Sequence, residues 1–289
     1  MKQGKSLIIR LIIQGLFVIF VSQGVLAQTY SNENMNNRSK LDKIKALIDK
    51  GADIDTRDED NNTALHYAAG LNYLEIVKYL VEKGADVNAK NAQGITTLSL
   101  CAYMGYYDIA KYLIEKKADV NSQNFNGFTA LMYAILSTTT NFDMIKLLLD
   151  NGADINASNR FQTTALMGAV KTGNLKLISF LIEKGATINI QDIKGDTPLM
   201  IAYQSSQYQV MDFLISKGAS LDYQNKFGFT LLMEAARRGD EKTVRNILKF
   251  EQNKSLKDVE GNTAADLAKI TGHNKLVKIL VDAGVPLNK

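Results

Sequence analysis

The chain has 289 residues, 46% of them hydrophobic and 22% charged, with a formal charge of +4. Lys2, Lys5 and Arg10 supply most of that excess, so without its first 27 residues the chain is near +1, which gives no ground for nucleic acid or anionic lipid as a partner. Cys101 is the single cysteine; an internal disulfide is excluded and stability must come from packing.

The first segment, residues 1–27, reads as a secretory signal peptide. Three cations precede an apolar run from Leu11 to Val21, and Val25-Leu26-Ala27 offers small residues for cleavage before Gln28. Gln14 and Gly15 break the run, which falls short of the ~20 residues of a membrane span. The expectation is an exported protein, periplasmic or extracellular, and the Asn-, Lys- and Ile-rich composition points to a bacterial source. Contact with a membrane is expected only if this segment is retained. Residues 28–40 read as a polar linker or cap. Leu41 to Asp55 then supply a second helix and a closure, half a structural unit with a wet outer side, as suits the end of an array.

From there a phrase recurs: NNTALHYAA at 61–69, NGFTALMYA at 126–134, GDTPLMIAY at 195–203, FGFTLLMEA at 227–235 and EGNTAADLA at 260–268. Its threonine stands at Thr63, Thr96, Thr129, Thr164, Thr197, Thr230 and Thr263, spaced by 33 residues except for one spacing of 35. A fixed period of this length marks a solenoid, here residues 41–289 with a half-repeat and seven repeats. In the copy from Asp58 to Lys90, a polar turn leads to Thr63, a good helix N-cap. Pro198 follows the threonine of the fifth copy, at the position where proline is favoured. Leu65, Ala68 and Ala69 face inward on a short first helix. After a turn at Asn72, the second helix sets Ile76, Val77, Leu80 and Val81 on one stripe. Gly84-Ala85-Asp86-Val87-Asn88 closes the unit, its glycine suited to a left-handed cap.

Taken together these residues resemble the ankyrin repeat, over about Leu41 to Asn288. The resemblance implies an all-α solenoid of paired antiparallel helices with β-turn fingers on one side and a concave face made by fingers and first helices. It also implies binding of a protein partner without catalysis. Three departures stand out. Lys117 replaces a closure glycine, at about 1 kcal/mol if left-handed. Glu251-Gln252-Asn253 replaces the sixth closure, so 250–258 is expected to be the most mobile internal loop. A two-residue insertion among Ser137, Thr138, Thr139, Thr140 and Asn141 lengthens the third interhelical loop.

The reactive residues are absorbed by the repeat. His66 occupies the histidine of the helix start, where its ring can bond near the N-terminus, and His273 sits in a Gly-His turn. Cys101 replaces an inward alanine and is expected to be buried and inert. The Asp and Asn residues of the closures (Asp86, Asn88, Asp119, Asn121, Asp154, Asn156) are expected to bond their own loops. The acid-rich run 49–60 and the basic run 237–257 read as solvated faces. No phosphate loop, nucleophile elbow or zinc-helix motif occurs. No cofactor, no metal and no catalytic residue is expected.

What the scaffold does not dictate is the finger tips and the end of each first helix. The tips carry Ile95, Phe125, Phe128, Phe161, Phe227 and Phe229, and the helix ends carry Tyr103, Met104, Lys171, Arg237 and Arg238. Turns favour Gly, Asn, Asp and Ser, so five phenylalanines there are unexpected. Aromatics beside arginines are the composition of an interface centre. The leading reading is an exported, monomeric interaction module gripping an unidentified protein on its concave face. The alternatives are a membrane-tethered scaffold with an uncleaved N-terminal helix, and an enzyme or small-molecule binder using the groove.

Overall fold

A computed structural model describes residues 37–137 and 141–288. The expected signal peptide at 1–27, residues 28–36 of the polar linker and residues 138–140 of the insertion lie outside the described residues. Among these there are fifteen α-helices and no strands, an all-α repeat solenoid. Two compact units divide after Asp154. The first holds α1 (Asn37–Asp49), α2 (Ala64–Gly70), α3 (Leu74–Glu82), α4 (Thr97–Met104), α5 (Tyr107–Glu115), α6 (Ala130–Leu136) and α7 (Phe142–Asp150). The second holds α8 (Ala165–Thr172), α9 (Leu175–Glu183), α10 (Pro198–Gln204), α11 (Tyr208–Ser216), α12 (Leu231–Arg237), α13 (Glu241–Ile247), α14 (Ala264–Ile270) and α15 (Asn274–Asp282). The described part of the first helix, Asn37–Asp49, already includes four residues of the polar segment before Leu41.

Each repeat is a helix pair, and first helices stack on first helices: α2 on α4 and α4 on α6 in one unit, α8 on α10, α10 on α12 and α12 on α14 in the other. Leu65, Ala68, Ala69, Ile76, Val77 and Leu80 are buried as their spacing requires, whereas Val81 is only half-buried. Burying such an aliphatic side chain contributes roughly 1.5–3 kcal/mol. The alanines keep first helices close. Six of the anchor threonines, from Thr96 to Thr263, accept a hydrogen bond from the backbone N–H of the residue three ahead. Lys117 is left-handed at φ 70°, as its place in the closure demands.

The closures are joined by a ladder that the sequence reading assigned only in part. Asp86 and Asp119 do bond their own loops, each accepting from the backbone N–H two residues on. The last residue of each closure reaches the next repeat instead. In the first unit Asp55, Asn88 and Asn121 accept from the N–H of Asp86, Asp119 and Asp154. In the second, Asn156, Asn189 and Asp222 accept from Thr187, Ser220 and Asn253. The degenerate sixth closure is therefore pinned: Asn253 donates to Asp222 at 2.7 Å, and Gln252 Nε2 caps the carbonyl of Ile247 at 2.8 Å.

Fingers are built by an Asn or Asp five residues before each anchor threonine. Asn124 Oδ1 accepts from the N–H groups of Asn126 and Phe128, both at 2.9 Å, and Asn225 Oδ1 from those of Phe227 and Phe229 at 3.0 and 3.1 Å. Asp58, Asn91, Asn159, Asp192 and Asp258 do the same in their own turns. Within each unit neighbouring tips share one backbone bond, for example Phe125 N–H to the carbonyl of Gln93 and Val259 N–H to that of Phe227, both 3.2 Å.

Candidate interaction surface

The side chain two residues after the turn-forming Asn or Asp stands at the tip, and the one four residues after it lies at the base. Phe161 and Phe227 occupy the first register and are 53% and 62% exposed; Phe125, one residue after Asn124, is 70% exposed. Phe128 and Phe229 occupy the second register and are half-buried, as is Ile95. The expected single row of exposed tips is thus two rows, because the turn geometry folds every second register against the first helix.

In the first unit the Phe128 ring lies 5.8 Å from that of Tyr133, and Tyr103 meets Tyr133 edge-on at 6.2 Å. Asn124 Nδ2 donates to the Tyr133 hydroxyl at 2.8 Å, so the residue that shapes the finger also fixes the ring behind it. Tyr103 and Met104 are exposed at the end of α4. Ile95 serves through its backbone: its carbonyl accepts from His66 Nε2 at 3.1 Å.

In the second unit a denser cluster forms on α10 and α12. Phe227 and Phe229 are 6.3 Å apart, the Arg237 guanidinium lies 5.9 Å over Phe229, and that of Arg238 lies 5.2 Å over buried Tyr203. Glu234 holds both arginines, accepting from Arg237 Nε at 3.1 Å and Nη2 at 2.9 Å, and from Arg238 Nε at 2.6 Å. Its hydrogen bond keeps the Arg237 guanidinium more firmly protonated than usual. Burial raises the Tyr203 phenol well above its ordinary range, so it stays neutral. Phe161 and Lys171 are exposed on the repeat that carries α8, two repeats before α12.

Tyr133, Tyr203 and Glu234 are the cluster members that sequence reasoning missed. Tyr133 and Glu234 both stand four residues after an anchor threonine, a position held by Gly168 and Ile201 in other copies, and that variability was the available signal.

The reactive residues are in structural use. His66 is buried; Nδ1 accepts from the Thr63 N–H at 3.3 Å and Nε2 donates to Ile95, which fixes one neutral tautomer. Burial lowers its pKa. Burial likewise pushes the Cys101 thiol far up, which disfavours the thiolate. Among the described residues no group of three or more His, Cys, Asp or Glu is placed to hold a metal ion, and no helix is long and apolar enough to cross a membrane.

The family model for ankyrin repeats (3 copies) matches residues 35–91, 88–159, 139–225 and 213–289, together spanning all the described residues. The chain belongs to the ankyrin repeat family. Ankyrin repeat proteins are typically non-catalytic modules for protein–protein interaction, and the repeats of this chain suggest such a module. No curated protein matches the chain.

Proposed function

We propose that this ankyrin repeat protein is an exported module that grips a protein partner with its fingers and first helices. The observation that carries the reading is the exposure of Phe125, Phe161 and Phe227 on turns held by their own backbone hydrogen bonds. Exposed aromatics on a rigid frame bind at low entropic cost. Each unit offers one patch: Phe125, Phe128, Tyr103 and Met104 in the first, and Phe227, Phe229, Arg237 and Arg238 in the second, where Phe161 and Lys171 lie exposed two repeats earlier. Export rests on the basic-apolar-small pattern of residues 1–27.

The test is a pull-down with the mature array from the envelope fraction of its own cell, repeated with Phe125→Ala/Phe227→Ala. Truncating a true anchor costs on the order of 2 kcal/mol, so the captured protein should be lost from the variant while its melting temperature holds. Equal capture by both forms removes the proposed face. Mass spectrometry of the native N-terminus settles export: a chain starting at Gln28 is expected, and a retained segment would make the array a membrane-tethered scaffold.

A further inference from the structure

We propose that the arginine pair at the C-terminal end of α12, Arg237 and its cap Arg238, is a carboxylate receptor and that the second unit binds an acidic, apolar-flanked segment of its partner. The inference rests on the interaction reading above and names the chemistry of what is bound.

Both guanidiniums are ordered before any partner arrives. Arg237 is stacked on Phe229 and Arg238 on Tyr203, and both Nε groups are turned inward onto Glu234. Arginines in solvent ordinarily sample many rotamers and lose that freedom on binding. Here stacking and the shared carboxylate have already restricted them. With Nε spent, the Nη ends face outward: both Nη groups of Arg238 and Nη1 of Arg237 have no hydrogen-bond partner among the described residues, and both side chains are exposed. A planar fork of N–H donors matches a carboxylate in bidentate fashion, which a lysine cannot reproduce.

Two arginines share Glu234, and the carboxylates of Asp196 and Asp240 also stand around Tyr203, so the free N–H fork rather than a local charge surplus is what receives a carboxylate. Phe227 supplies an apolar surface at the tip beside the pair, so an Asp or Glu next to an apolar residue fits both. At longer range the second unit is basic: residues 155–289 hold 18 Lys and Arg against 13 Asp and Glu. A surplus of that sign draws an acidic segment in and raises its on-rate.

The experiment selects random dodecapeptides displayed on phage against the full chain, then measures selected synthetic peptides by fluorescence anisotropy. Selected sequences should be enriched in Asp and Glu beside apolar residues. Their affinity should fall about tenfold or more for Arg237→Gln/Arg238→Gln, with Arg237→Lys/Arg238→Lys retaining only part of it. Unchanged melting temperatures keep the comparison clean. Peptides without acidic enrichment that are lost from Phe227→Ala/Phe229→Ala would overturn the carboxylate receptor and leave the interaction surface standing. Retained affinity in the arginine-to-glutamine variant, or tighter binding when the selected Glu is replaced by phosphoserine, would also overturn it. Selection of no peptide would count against both readings.

Discussion

His66 is buried with both ring nitrogens engaged, and that makes it a pH-dependent strut rather than a catalytic base. Desolvation by burial lowers its folded-state pKa, while the backbone bond to Ile95 opposes the shift. The unfolded value is about 6.5. The folded chain therefore binds fewer protons at this site. The stabilisation from the neutral ring is whole above about pH 6.5 and is lost as pH falls through the folded value. His66→Asn should cost roughly 1–3 kcal/mol by orphaning the Thr63 N–H or the Ile95 carbonyl. Its urea midpoint should also lose the part of the decline below pH 6.5 that the wild-type chain shows. Parallel pH profiles for the two proteins would refute the assignment. The roles of His66 and Cys101 were legible in the sequence because each sits at a position the repeat defines. The reach of Asn88 and Asn121 into the next repeat was not. One copy of a repeat shows what a residue is adjacent to in sequence, and the bond is made across the stack.

At the scale of the element, the finger is a turn held by one Asn or Asp and pressed against its neighbour, and its glycine has two distinct duties. Gly228 lies at φ 76°, and a Cβ there would come within 2.7 Å of the backbone of Asp258 and Val259. Gly261 holds the same register in the last finger at φ 84° but has nothing within 4 Å. Alanine at Gly261 pays only for the left-handed conformation, about 1–2 kcal/mol. Alanine at Gly228 adds a collision with backbone that cannot rotate away. Gly228→Ala should therefore be more destabilising than Gly261→Ala in thermal melts, and equal losses would show that finger-to-finger contact adds nothing. The turn-forming Asn and Asp residues recur at the same interval as the threonines, so the finger was present in the sequence. Which aromatics it exposes was not, because tip and base registers separate only once the turn is folded. That is why Phe128 and Phe229 read as exposed tips and are half-buried. The sixth connection shows the same limit: Glu251-Gln252-Asn253 loses the consensus letters, yet Asn253 keeps the rung to Asp222 because that rung uses only its backbone N–H.

At the scale of the whole chain, the absence of long-range sheet pairing among the described residues means that each repeat is stabilised by itself and by its immediate neighbours. Stability in such an array is close to a sum of repeat terms and neighbour terms. A local defect should then stay local. His66 joins the helix start of α2 to the finger that precedes α4, so removing it weakens one junction of the first unit. In native-state hydrogen exchange, His66→Asn should raise exchange in α2, α3 and α4, with protection in α12, α13, α14 and α15 kept at the wild-type level. The alternative is a single cooperative core, for which protection would fall everywhere by the same free energy. A uniform fall would mean that the repeats do not act as separable parts. A graded one would mean that the two aromatic patches can be altered independently, each reporting on its own contact with a partner.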